Sequence, residues 1–179
     1  MVLRDEILRE HSKAQCEKIV KYAGNSKRRF NDLLSLFLNG EYSIIQRAAW
    51  PLTKIARQQP ALFQNHFNKL ALHANRTDLH PAVRRNITRI IEVMDIPEND
   101  EGEWMDLAFI IFLADIREAI AVKAHCIGIL ANLSKKYPEI IPEIRTVLAA
   151  QRPTPALRAR INAFEKTVRK RPAFGDRST

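Results

Sequence analysis

The segment Ala82-Val83-Arg84-Arg85-Asn86 sets a basic side chain beside apolar ones, and similar segments recur along the chain at a nearly constant interval. The others are Ile45-Gln46-Arg47-Ala48-Ala49, Ala121-Val122-Lys123-Ala124-His125 and Ala156-Leu157-Arg158-Ala159-Arg160. The basic positions of these segments are Arg47, Arg84, Lys123 and Arg158, which are spaced 37, 39 and 35 residues apart. A repeat of this length is typical of a helical solenoid, in which each unit covers the apolar face of its neighbour.

The composition indicates a folded helical protein of the cytoplasm. Of the 179 residues, 46% are hydrophobic and 27% charged, and only 5 are glycine, which is typical of a globular domain. Cys16 and Cys126 lie far apart, so we expect no disulfide framework and a reducing compartment. The charged N-terminus has no apolar signal core. The longest apolar run, 107–114, is far shorter than the roughly 18 residues of a membrane span.

Hydrophobic spacing and breaker residues predict four helix pairs followed by a capping helix. Apolar residues at helical intervals run from Phe30 to Leu38 and from Val83 to Met94, and each set predicts one buried helix face. The other helices are predicted at about 3–22, 44–58, 61–74, 103–114, 117–136, 139–150 and 156–170. We therefore predict a right-handed α-solenoid domain over 1–170 and a tail over 171–179.

Three local features of the sequence also lead to structural predictions. The acidic segment Glu98-Asn99-Asp100-Glu101-Gly102 is predicted to be a solvated loop. The apolar run 107–114 is predicted to be a helix buried on several sides. Trp50 lies in an alanine-rich stripe beside Pro51 and is predicted to be a core residue.

The segment Asp78-Leu79-His80-Pro81-Ala82-Val83-Arg84 resembles the motif of the HEAT/armadillo superfamily, in which an aspartate precedes an arginine by six residues. In that superfamily the two side chains form a ladder between adjacent repeats. Glu41 has the same spacing to Arg47. Arginines occupy the corresponding positions before Lys123 and Arg158, so the resemblance implies a ladder for two repeats only.

Other segments are similar to those of small, single-domain bacterial HEAT-like proteins, a group that implies a fold and a compartment but no reaction. These segments are Asn39-Gly40-Glu41-Tyr42, Gln46-Arg47-Ala48-Ala49-Trp50, Asp95-Ile96-Pro97-Glu98, Ala121-Val122-Lys123-Ala124 and Lys135-Lys136-Tyr137-Pro138-Glu139.

Charge is unevenly distributed along the chain, whose formal net charge is +9. Residues 47–89 carry +7, residues 95–118 carry −7 and residues 152–179 carry +6. Such blocks steer charged partners, although they also suit a solvated surface. The recurring basic positions are interpreted first as hydrogen-bonding groups between repeats and second as phosphate or carboxylate contacts. Better candidates for binding a partner or phosphate are Lys54, Arg57, Lys69, Arg85 and Arg89.

No pattern in the sequence predicts catalysis, a cofactor or a metal site. His66 and His73 lack the close ligands that zinc requires, and no glycine-rich phosphate loop is present. The leading hypothesis is a cytoplasmic, non-catalytic module that binds an unidentified protein through its second helices, for example at Gln64, Asn68, Lys69, Glu143 and Arg145. The alternative is a basic nucleic-acid-binding protein, since the HEAT-like superfamily includes DNA alkylation-repair glycosylases.

Overall fold

The computed structural model describes residues 1–152 and 154–169, and every regular element in these residues is helical. The α-helices are α1 Leu3–Arg9, α2 Lys13–Gly24, α3 Lys27–Asn39, α4 Tyr42–Gln58, α5 Phe67–Asn75, α6 Pro81–Ile91, α7 Glu98–Asp106, α8 Ile120–Leu133, α9 Ile141–Ala149 and α10 Pro155–Arg169. Short 3-10 turns precede α5 and α9, at Pro60–Phe63 and Pro138–Ile140, and a π-helical segment, Leu107–Leu113, follows α7. The all-α class and the helical-repeat fold are confirmed.

The described residues divide into two compact units, one before and one after the boundary between Trp104 and Met105. The expectation of one repeat domain over 1–170 stays a prediction. The expected tail over 171–179 lies outside the described residues.

In the first unit, α4 is the central helix and packs against α1, α2, α3 and α6. The apolar face of α3 is buried as its spacing predicts, and Phe30 and Phe37 have no exposed surface. Phe30 meets Phe63 edge to face with ring centroids 4.7 Å apart, an arrangement that stabilises aromatic pairs. The face from Val83 to Met94 is buried in the same way.

In the second unit, α8 packs against both the π-helical segment and α10. Its buried side chains include Val122, Cys126 and Leu130, while α10 contributes Leu157 and Phe164. The predicted last helix is therefore present, and its apolar residues lie against the preceding repeat.

Two predicted helices are wrong because the chain breaks within them. The helix expected over 3–22 is α1 and α2, separated where Ser12 adopts an extended conformation and its Oγ accepts from Gln15 N at 3.0 Å. A serine in this position begins a new helix because it satisfies an amide of the first turn. The helix expected over 61–74 is the turn Pro60–Phe63 followed by α5, with His66 departing from helical geometry between them.

The acidic segment is also different from its prediction, because it is helical rather than a loop. α7 begins at Glu98, and Asp100 N donates to Pro97 O at 2.8 Å. Carboxylates in a first turn lie near the positive end of the helix dipole, which stabilises them there. The helix predicted over 103–114 is replaced by the end of α7 and the π-helical segment, and the helix predicted over 117–136 covers only Ile120–Leu133.

Within residues 1–152 and 154–169, none of the helices combines the length and the apolar character needed to cross a membrane.

Candidate functional site

Hydrogen bonds between residues one repeat apart connect the first helices of successive helix pairs in the first unit. Arg47 Nη1 donates to the backbone oxygen of Leu8 at 2.6 Å, across 39 residues. Arg85 Nη2 donates to Gln46 Oε1 at 2.9 Å, again across 39 residues. These bonds join α4 to the end of α1 and α6 to α4, so the recurring basic position Arg47 and the binding candidate Arg85 both hold neighbouring repeats together.

An ion pair of the same spacing engages Lys54, whose Nζ donates to Glu17 Oε1 across 37 residues. Lys54 is half-buried between α4 and α2, whereas Glu17 is more exposed. Because its ammonium already has a carboxylate partner, Lys54 is poorly placed to hold a phosphate.

The two acids of the HEAT-like spacing have partners other than the basic residue six positions later. Asp78 accepts from Arg76 at both oxygens, at 2.9 and 2.5 Å, and the bond from Arg76 holds the pKa of Asp78 below its ordinary value. Glu41 accepts from Arg4 Nη2 at 3.4 Å. Arg84 Nε donates instead to the carbonyl oxygen of Ala74 at 2.7 Å, near the end of α5. A free carbonyl at a helix C-terminus needs such a donor.

A related arrangement in the second unit uses a glutamine as an intermediary. Lys123 is only 4% exposed, and its Nζ donates to Gln151 Oε1 at 2.6 Å. Gln151 Nε2 in turn donates to the carbonyl oxygen of Leu113 at 3.0 Å, at the end of the π-helical segment. Leu113 precedes Lys123 by ten residues, the same interval that separates Ala74 from Arg84. Lys123, through Gln151, is therefore linked to a carbonyl oxygen ten residues earlier, the interval at which Arg84 bonds to the Ala74 carbonyl directly. Arg158, the fourth basic position, is exposed on α10.

The remaining binding candidates lie exposed on three different helices of the first unit: Arg57 on α4, Lys69 on α5 and Arg89 on α6. Burial, and then the charge of Lys69, lower the pKa of His66. Of the five binding candidates, Arg57, Lys69 and Arg89 are the cations that present their charge to solvent.

Trp50 is not the core residue that its alanine-rich surroundings predict. It is half-buried on α4, and its ring meets His11 edge-on at 5.6 Å between centroids. His11 belongs to the break between α1 and α2, so this break contributes one of the contacts of the half-buried indole. The fully buried tryptophan is Trp104.

Four isoleucines of the second unit form a feature that sequence reasoning missed: Ile110, Ile111, Ile116 and Ile120, which are 62%, 40%, 73% and 43% exposed. The prediction that the run 107–114 is buried on several sides is wrong, because Ile110 and Ile111 face solvent. The sequence nevertheless indicates that part of the run 107–114 has to be exposed. One buried helix face accepts about half of the residues in a helical segment, and the run is apolar at every position.

Both cysteine thiols of the chain are buried. Burial raises the pKa of the Cys16 thiol to about 11, and Cys126 is fully buried. Among the described residues, no three His, Cys, Asp or Glu side chains are arranged to hold a metal ion.

The family model described as a HEAT repeat domain matches residues 3–171. No curated protein and no solved structure matches the chain.

Proposed function

Because the chain belongs to the HEAT repeat domain family, we propose that this helical-repeat scaffold is a non-catalytic module that binds a protein partner. The observation that carries the proposal is the exposed set Ile110, Ile111, Ile116 and Ile120, named here the isoleucine cluster. Large apolar side chains grouped on a surface mark protein interaction sites more often than single exposed ones do.

The grouping distinguishes these residues from other exposed apolar side chains. The remaining large ones in the described part of the chain are Met1, Val2, Tyr42 and Leu72, which are scattered through the first unit. The isoleucine cluster instead lies within eleven consecutive positions, from 110 to 120. Complete burial of one isoleucine side chain is worth about 1.5–3 kcal/mol, so even partial burial of all four supplies useful binding energy.

Affinity capture with matched variants tests the proposal. The tagged full chain is incubated with native lysate beside the double variant Ile110→Ser/Ile116→Ser and the control Leu72→Ser, which alters an apolar side chain that is 59% exposed. We expect a stoichiometric protein partner with the native chain and the control, and its loss from the double variant. If no stoichiometric partner is captured by the native chain, or the double variant retains it fully, the proposal fails.

A second candidate function, nucleic acid binding, has an observation of its own. Arg57, Lys69 and Arg89 carry exposed charges within the basic block 47–89. Labelled duplex DNA is titrated with the chain and with Arg57→Gln/Lys69→Gln/Arg89→Gln at several salt concentrations. Contact with Z phosphates gives a slope of about −0.9Z in log K against log salt, and the triple variant should have a smaller slope. Absence of binding at low salt rejects this candidate.

A further inference from the structure

The π-helical segment Leu107–Leu113 divides a wholly apolar sequence between two environments. Its geometry is closed by the bond from Ala114 N to Phe109 O at 3.1 Å, five residues apart. Leu107, Ala108, Phe112 and Leu113 are buried, whereas Ile110 and Ile111 are exposed. Segments of this type are rare and usually only one turn long. The segment therefore holds two large apolar side chains in solvent beside a packed core.

The turn from this segment to α8 adds two more exposed isoleucines on a backbone that is held by local hydrogen bonds. Arg117 N donates to Asp115 Oδ1 at 2.9 Å, and Ala119 N donates to Glu118 Oε1 at 2.8 Å. Ile116 lies within this turn and Ile120 begins α8. Because bonds to both acids restrain the turn, the turn would lose less conformational freedom when a partner binds than an unrestrained loop would.

Three acids lie close to the isoleucine cluster in sequence, and their carboxylates are named here the negative rim. Asp106 precedes the π-helical segment and is exposed, while Asp115 and Glu118 flank Ile116. Arg117 is the single base between positions 106 and 122, and its bonds to Asp115 hold the pKa of that carboxyl below its ordinary value. Within residues 106–122, three acids and one base give a formal charge of −2 (−3 + 1) to the segment that carries the exposed isoleucines.

We propose that the isoleucine cluster binds a basic amphipathic helix of a partner protein, an inference that rests on the proposed function and specifies its partner. The isoleucines would receive the apolar face of that helix, and the negative charge of the rim, with Asp106 exposed at its start, would attract the lysines or arginines of the helix. An amphipathic helix suits this surface because it presents apolar residues at positions i, i+3, i+4 and i+7 with charges at their sides.

Charge argues against two other occupants. A symmetric dimer through this surface would place one negative rim against an identical one, which is unfavourable. A membrane surface rich in anionic lipids would repel the same carboxylates. A basic partner complements both the apolar cluster and its rim.

The test uses two labelled synthetic peptides of about 18 residues, or five helical turns, which share a leucine face and carry either lysine or glutamate on the other face. Fluorescence anisotropy measures their binding to the full chain in about 50 mM salt, where charge contacts are weakly screened. We expect the lysine peptide to bind at least about tenfold more tightly than the glutamate peptide, a difference of about 1.4 kcal/mol.

Three variants locate the contact. Ile110→Ser/Ile116→Ser should weaken binding of the lysine peptide at least about tenfold, and Leu72→Ser should leave it unchanged. Asp106→Asn removes a rim charge and should weaken the lysine peptide while leaving the glutamate peptide unchanged or strengthened. Circular dichroism and urea midpoints establish that each variant is folded.

Several results would overturn the inference. These are equal affinity for the two peptides, no binding of the lysine peptide, or full binding by the double serine variant. Preference for the glutamate peptide at the isoleucines would reject a basic occupant but leave the proposed protein-binding function standing. Sedimentation that shows self-association of the native chain and a monomeric double serine variant would assign the surface to a second copy instead.

Discussion

Arg47 and Leu8 form a bond that passes from one repeat to the next: the guanidinium Nη1 lies 2.6 Å from the backbone oxygen. Arg85 and Gln46 repeat the same 39-residue interval one unit later. The period that predicts the fold is thus the interval at which hydrogen bonds connect successive first helices. Bonds of this kind fix how the repeats pack and leave other surfaces for a partner.

Replacing Arg47 should destabilise the fold. Arg47→Met removes the donor to the Leu8 carbonyl near the end of α1, and an unpaired, partly buried carbonyl costs about 1–3 kcal/mol. Arg57→Met on the same helix alters an exposed arginine and should change the free energy of unfolding by less than about 0.5 kcal/mol. Urea denaturation measures both. Equal effects of the two variants would show that the Arg47 bond contributes nothing specific.

Lys123 and Gln151 should be energetically coupled. Lys123→Met leaves Gln151 Oε1 without its donor, and Gln151→Met removes the acceptor from a buried ammonium and the donor to Leu113 O. A double-mutant cycle on the free energy of unfolding should give a coupling energy of about 0.5–3 kcal/mol, as for residues in one hydrogen-bond network. Additive effects of the two substitutions would contradict the arrangement.

The sequence predicts the fold well where one physical requirement determines the structure. The helical spacing from Phe30 to Leu38 requires burial on one side, and these residues are buried. Helix breaks are harder to predict, because Ser12 is compatible with a helix interior as well as with the N-cap position that it occupies.

Side-chain partners are less predictable than burial. Asp78 has an arginine six positions later and another two positions earlier, and spacing alone does not decide between them. The structure pairs it with Arg76 at both oxygens. Nor does spacing reveal Gln151 as the partner of Lys123, because 28 residues separate them.

The exposure of Ile110 and Ile111 in particular is unpredictable for a different reason. An unbroken apolar run carries no periodicity, so it does not indicate which of its residues face the core. The π-helical geometry that exposes Ile110 and Ile111 is visible only in the folded chain.

Glu6 should make the fold sensitive to acid. Bonds from Lys18 Nζ at 2.8 Å and Gln15 Nε2 at 2.7 Å hold the pKa of this carboxyl below its ordinary value. Its stabilising contribution is therefore complete above the pKa of the unfolded chain, about 4.3, and is lost as the pH falls through the lower folded pKa.

Urea midpoints of the native chain and of Glu6→Gln, measured between about pH 7 and about pH 3, test this. The native chain should lose more stability than the variant in the acidic range, since other carboxylates titrate in both proteins. Parallel curves would contradict a role for Glu6.

Cys16 should react slowly with thiol reagents in the folded chain. Burial raises the pKa of this thiol from 9.0 to about 11, which lowers its thiolate fraction on the order of 100-fold near neutral pH. In a Cys126→Ala background, Ellman's reagent should modify the native chain far more slowly than the chain in guanidinium chloride. Equal rates in the two conditions would show that the thiol is accessible.

We expect a protein partner to bind on the isoleucine cluster, and the claim can be tested with that partner in hand. Hydrogen–deuterium exchange of the full chain, alone and with its captured partner, tests it most directly. We predict slower exchange on binding in the π-helical segment Leu107–Leu113, in the turn that follows and in the first turn of α8. Slower exchange confined to α2, α4 and α6, with unchanged exchange around Ile110 and Ile116, would contradict the claim.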